Sequence, residues 1–326
     1  MNLEKGCSIV WEQCMGLRPK ERALIITDEA RLHLGQALYA KARTLGAEAV
    51  LIQMPVAKVS GEEPPAAVAA AMLEADVIVC PTTESITHTN ARINAVKKGA
   101  RIATMPGITD EMFEAGPITA DYVEVERLSR LYAELLTQAQ SCRIITGGRH
   151  ELTLGLAGRK GVVSSGVYRE AGLAGNLPSG EAYIAPLEDG GDGEFWVDGS
   201  IVGVGRLAEP VIITMRKGVI VGIDGREAPL VEKAIPNNTL SRTVGELGIG
   251  TNPMARVTGI ILEDEKIYGS VHVAFGTNTS FGGIIKAGSH IDCVTLTPEV
   301  YLDDRLVIKD GKLLVHELYD DSASLT

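Results

Sequence analysis

Glycine is divided unevenly along this chain of 326 residues: residues 1–145 hold eight and residues 146–326 hold 28. Glycine punctuates turns and weakens regular helices, so a shift of this size marks a change of architecture. We place the boundary near Thr146, with an α/β domain over 1–145 and a β-rich domain over 146–326. In the first part, Ala23-Leu24-Ile25-Ile26-Thr27 reads as a strand and Asp28 as the N-cap of a helix running to about Arg43. Residues 49–54 and 76–80 read as further buried strands, with an alanine-rich helix over 65–73 between them. A helix over 91–98 then leads into a strand over 101–105. Strands without polar alternation, separated by helices, predict a parallel sheet covered on both faces.

The second part changes period. Residues 161–163, 194–197, 211–215, 219–223 and 312–315 are short apolar runs separated by Gly, Asp-Gly or Lys-Gly turns. That pattern predicts a mostly antiparallel, glycine-rich β domain. Its expected helices cover 229–234 and 241–247.

Composition narrows the function. The 42 acidic against 31 basic residues give a formal charge of −11, which disfavours nucleic acid and anionic membrane surfaces as partners. Glu74 and Asp76 interrupt the most apolar early stretch before it reaches the length of a membrane span, and the N-terminus carries no secretory apolar core. The expectation is a cytoplasmic protein with a small-molecule or short-peptide substrate, assembling as a homo-oligomer, most simply a dimer. Cys7, Cys14, Cys80, Cys142 and Cys293 are odd in number and scattered, so they read as reduced packing residues. Neither GxGxxG after the first strand nor GxxxxGK[ST] occurs, and GxSxG and HExxH are also absent, so no nucleotide is expected.

Metal-capable residues concentrate in the glycine-rich part. Of the histidines His33, His88, His150, His272, His290 and His316, two lie in similar short strands: Gly-Ser-Val-His272-Val-Ala-Phe-Gly and Gly-Ser-His290-Ile-Asp292-Cys-Val. In a strand, positions i and i+2 share a face, so His290 and Asp292 aim at one point. His272 would add an imidazole from a neighbouring strand, and such a set suits a first-row divalent metal with open positions. Glu181 and Glu246 sit among small and apolar residues, where an unpaired carboxylate is costly to bury. A metal, an arginine or a helix N-terminus would each satisfy them. Glu263 and Asp264, in the run Glu263-Asp264-Glu265-Lys266, read as a solvated turn.

At these residues the sequence resembles the leucyl aminopeptidase T-like metallopeptidases and their relatives, the iron-dependent 2,5-dihydroxypyridine dioxygenases. The resemblance lies in Asn-Leu-Pro-x-x-Glu at 176–181, Gly-Glu-Leu-Gly-Ile-Gly at 245–250, the strand around His272 and the His-x-Asp at 290–292. It implies Glu181, Glu246, His272, His290 and Asp292 as metal ligands, two divalent ions in the peptidases (Zn, Co or Mn) and Fe(II) in the dioxygenases. Two positions depart from the peptidase pattern: Gly180 precedes Glu181 where paired acids are typical, and Thr279 stands in place of a tyrosine. The segment around His88 is similar to the dioxygenase side, which implies a substrate or acid–base role for His88. The first expectation is an aminopeptidase-like hydrolase in which Glu181 or Glu246 serves the metal-activated water. The alternative is a ring-cleaving Fe(II) dioxygenase of a hydroxylated pyridine or similar aromatic.

Overall fold

In the computed structural model, which describes residues 3–314, the first apolar run forms the strand Arg22–Asp28, buried from Ala23 onward. Asp28 both ends this strand and caps the next turn. Its carboxylate accepts a hydrogen bond from the Arg31 N–H at 3.2 Å, opening a 3-10 turn at Glu29–Arg31 that leads into the helix Leu32–Thr44. Val77–Thr82 is buried throughout and Arg101–Pro106 nearly so. The strands pair in parallel in the order Glu48–Met54, Arg22–Asp28, Val77–Thr82, Arg101–Pro106, Ala174–Asn176. The helices Ala66–Met72 and Asn90–Lys97 lie on the crossovers between these strands, so the expected parallel α/β architecture is the one observed.

Two details differ. Glu48–Met54 is an edge strand with Val50 54% exposed, because among the described residues no strand pairs beyond it, whereas a buried strand was expected. Ala174–Asn176, from the glycine-rich part, adds a fifth strand too short to show a period. The chain accordingly forms two compact units, residues 1–126 with 165–179 and residues 127–164 with 180–326. The expected single boundary near Thr146 gives way to this interleaving: 127–145 belongs with the second unit, and 165–179 returns to the first.

The second unit is built from antiparallel strands. Eight form one sheet, from Val219–Asp224 through Ser141–Thr146 to Lys312–Leu313; seven form another, from Gly205–Arg206 through Val271–Gly276 to Val162–Ser164. The hairpin Val211–Arg216 to Val219–Asp224 turns at Lys217 and Gly218, both with positive φ, as the Lys-Gly signal predicts. Leu152, Phe195 and Ile213 of the first sheet share one hydrophobic core with Leu247, Val273 and Ile291 of the second. Residues 229–234 fall within the helix Ala228–Ala234. The helix expected over 241–247 is not formed: a 3-10 turn at Leu240–Arg242 precedes the strand Val244–Gly250. Val315 and His316 lie outside the described residues. Among the described residues, no helix is long and apolar enough to cross a membrane.

Candidate metal centre

Four adjacent strands of the seven-stranded sheet carry the candidate ligands: Glu181–Ile184, Val244–Gly250, Val271–Gly276 and His290–Thr295. Their register places Gly250 opposite Glu181, Gly248 opposite His272, Ala274 between Glu246 and Asp292, and Gly276 opposite His290. Alternation along each strand then sorts the side chains. Glu181, Glu246, His272, His290 and Asp292 share one face, while Ala182, Leu247, Ile249, Val273, Ile291 and Cys293 turn into the core. Cys293 is a buried free thiol on that core side, a packing residue as its sequence setting predicts.

The functional face is floored by small residues, and one of them is required. A Cβ at Gly248 would lie 2.0 Å from His272 Nε2, so only glycine lets the imidazole lie across the neighbouring strand. Glycines at 245, 248 and 250 disfavour a helix here and favour a strand that other backbone approaches closely, which is why 241–247 departs from the expected helix.

The carboxylates and imidazoles interlock. Glu246 lies between the two rings, with Oε1 3.3 Å from His272 Nε2 and Oε2 3.3 Å from His290 Nε2. His290 Nε2 is also 3.4 Å from Asp292 Oδ1. The His290 Nδ1–H donates to the Thr277 carbonyl at 2.8 Å, which turns Nε2 toward the acids. Glu181 Oε2 lies 3.6 Å from His272 Nε2. All are buried except His290, which is partly open.

Charge dominates this pocket. Burial opposes the imidazolium of His290, but Asp292 and Glu246 outweigh it and push its pKa up to about 12. His272 is raised to about 9: burial works against its charge, and Glu246 and Glu181 overcome it. Burial would raise Asp292, yet His290 holds it at about 2, and Glu246 is likewise lowered by both rings against its own burial. These shifts describe a field that demands positive charge.

Two groups have the donor types and spacing to hold a divalent cation, Glu246–His290–Asp292 and Glu181–Glu265–His272, with ligand atoms within 4.8 Å of one another in each. A further observation supports the fit at the first group: the buried Glu246 and Asp292 carboxylates converge on His290 Nε2 at 3.3 and 3.4 Å, negative charge in the interior that a bound cation offsets. In the second group, Glu181 Oε2 and His272 Nδ1 are buried polar atoms with no hydrogen-bond partner. The structure therefore brings together all five sequence-predicted ligands. His88 lies in the first unit, exposed in the turn before the helix Asn90–Lys97.

Sequence reasoning missed Glu265 and Lys266. The Glu263-Asp264-Glu265-Lys266 run is not a solvated turn: Glu263, Asp264 and Lys266 are 1%, 0% and 2% exposed. Asp264 Oδ1 accepts from the Thr258 N–H at 2.7 Å and Oδ2 from the Gly259 N–H at 2.8 Å, while Glu263 accepts from the Arg256 N–H at 3.0 Å. These two acids brace the preceding loop. Lys266 Nζ reaches Glu181 Oε1 and Glu265 Oε1, each at 2.5 Å. The usable signal was that Ile267 and Tyr268 come directly after the charges: both are half-buried, and Ile267 forms a single bridge to Asn252, which carries the run against protein rather than solvent.

The family described as NicX: 2,5-dihydroxypyridine 5,6-dioxygenase matches residues 3–315 of this chain. The chain belongs to that family. It is 27% identical over 263 residues to the 2,5-dihydroxypyridine 5,6-dioxygenase of Pseudomonas putida, covering 76% of this chain and 73% of that protein. The solved structure of 2,5-dihydroxypyridine dioxygenase from Pseudomonas putida superposes with a TM-score of 0.80 at 21% identity, covering 96% of both chains. AmpT from Thermus thermophilus gives a TM-score of 0.71 at 16% identity over 96% of this chain and 98% of its own, which shows a shared fold. The comparisons thus reverse the order of the two expected activities: the family is that of the dioxygenase, and the aminopeptidase is a structural neighbour.

Proposed function

We propose that the chain is a non-haem Fe(II) ring-cleaving dioxygenase acting on a hydroxylated pyridine or a similar electron-rich ring. The observation that carries this reading is the family match across residues 3–315, and the chemistry of the cluster agrees with it. His290, Asp292 and Glu246 would hold the metal, with His272 against the Glu246 carboxylate at 3.3 Å. When bound, ferrous iron supplies open positions for molecular oxygen and a chelating hydroxylated ring. Glu246, placed between the two imidazoles, is kept in its carboxylate form, the form that ligates a metal. Phe281 stands edge-on to His290 at 6.2 Å between ring centroids and to Tyr183 at 5.3 Å, an aromatic wall suited to a planar substrate. His88 is proposed as an acid–base residue on the sequence resemblance.

The test is oxygen uptake by protein loaded anaerobically with Fe(II), measured with 2,5-dihydroxypyridine and related hydroxylated rings. Uptake matched to loss of the ring absorbance is expected. An iron-loaded protein that consumes no oxygen with any of these rings, while a zinc- or cobalt-loaded one releases amine from Leu-p-nitroanilide, would overturn the reading. His290→Ala with Asp292→Ala should lower metal retention by about tenfold or more while far-UV circular dichroism stays unchanged. Retained metal in that double variant would place the ion elsewhere.

A further inference from the structure

The sequence resemblance to the peptidases pairs these ligands with two metal ions, but one half of the cluster already contains a cation. Lys266 Nζ lies 2.5 Å from both Glu181 Oε1 and Glu265 Oε1, with the lysine side chain 3% exposed. Glu181 and Glu265 are two of the three members of the second donor group, with His272 the third. The ammonium holds Oε1 of each carboxylate, so a divalent ion bonded at about 2.0–2.2 Å, even through the unpaired Glu181 Oε2, would share both acids with it, and two cations on the same carboxylates would repel at close range.

The lysine is held in place by its own backbone. Its carbonyl accepts from the Asn252 N–H at 2.9 Å, and its N–H donates to the Glu263 carbonyl at 2.9 Å. Glycine at 250 lets this segment press onto the site strand, since a Cβ there would lie 2.0 Å from the Ile267 carbonyl oxygen. Glu263 and Asp264 clamp the loop in front of it. A surface lysine could swing away; this one has packed backbone on each side.

We propose that Lys266 is a built-in counter-cation that fills the Glu181–Glu265–His272 half of the cluster, so that the centre takes a single divalent metal at Glu246–His290–Asp292. It rests on the dioxygenase reading, which needs one metal, and turns a binuclear layout into a mononuclear one with a single side chain. Replacing the ammonium with an uncharged group of similar size would reopen the second site, with Glu181, Glu265 and His272 as its donors.

The experiment is equilibrium dialysis of the full chain against Zn2+, with metal counted per chain, for the wild type, Lys266→Met and Lys266→Arg. About one ion is expected for the wild type and for Lys266→Arg, which keeps the charge, and about two for Lys266→Met. Two ions in the wild type, or one in a folded Lys266→Met, would overturn the proposal. Should Lys266→Met fail to fold, thermal stability of the wild type titrated with Zn2+ decides instead: a rise complete at one equivalent supports the proposal, and a second step at two equivalents overturns it. Glu181→Gln with Lys266→Met removes both charges and should stay at one ion; two would again overturn it. Metal counting is independent of ring cleavage. A wild type with one ion and no oxygen uptake sinks the dioxygenase reading alone, and a wild type with two ions sinks the role of Lys266 alone.

Discussion

Gly248→Ala offers a test of the site's geometry in which the sign of the effect changes with context. The added methyl carbon would stand 2.0 Å from His272 Nε2, 2.1 Å from Cε1 and 2.8 Å from Cδ2, where ordinary contact begins at 3.4 Å. The ring must therefore retreat by roughly 1.4 Å in a fully buried setting, and overpacking of that kind costs about 1–3 kcal/mol. The retreat also breaks the 3.3 Å approach to Glu246. The backbone at Gly248 is not among the positive-φ glycines, so alanine itself fits the strand. Without the clash, it should stabilise by about 0.4–1 kcal/mol through the unfolded chain. The assay is urea denaturation of the metal-free protein across a double-mutant cycle with His272→Ala. Gly248→Ala is expected to destabilise the wild type and to be neutral or stabilising once the imidazole is gone. Equal costs in both backgrounds would refute the claim that glycine is required there by the ring.

Two further outcomes are set by ion pairs. In the first unit, Arg101 donates to both oxygens of Glu21 at 2.9 and 2.7 Å with both side chains mostly buried. Burial would raise the Glu21 pKa, but Arg101 and the Arg18 N–H hold it below the ordinary 4.5. A depressed folded pKa gives stability that is present above the unfolded value and lost as pH falls through the folded one. Glu21→Gln should cost about 1.5–3 kcal/mol at neutral pH and flatten the acid limb of the stability profile, measured by denaturation across pH. An unchanged acid limb would contradict the pair's role. In the second unit, Glu188 accepts from the Ile284 N–H at 2.9 Å and pairs with Arg159 at 2.5 Å, tying down the loop that carries Phe281 beside His290. Glu188→Ala should speed amide exchange at Ile284 by roughly tenfold or more, read by NMR, without altering exchange in the strand Val211–Arg216. Unchanged exchange at Ile284 would mean that the loop is held by other contacts.

The parts that were legible in the sequence share a physical cause. His290 and Asp292, two residues apart in a strand, had to share a face; isolated acids such as Glu181 and Glu246 among apolar neighbours had to find a positive partner. Both arguments use only local spacing and the cost of burying charge, and the observed pleat places all of these side chains on one face. The apolar runs near Ile25 and Ile78 were likewise long enough to declare buried parallel strands. The failures arose where distant chain decides the environment. Glu265 and Lys266 carry the composition of a wet turn, and only the packing of 250–252 against 266–268 dries them. Ala174–Asn176 has no period of its own and is a strand because Arg101–Pro106 lies beside it. At 241–247 the glycines already argued against the expected helix and outweigh the polar start of the segment.

The alternation along the four site strands, interrupted at the bulge between Val244 and Glu246, ties the site to folding more tightly than any single contact does. A one-residue slip in the register of the strand Val271–Gly276 would turn every side chain to the opposite surface, sending Val271, Val273 and Phe275 outward and the His272 imidazole into the hydrocarbon interior. Length variation in descendants of this chain is thereby driven into the connecting loops and into bulges such as the one between Val244 and Glu246, while the paired stretches change letter by letter.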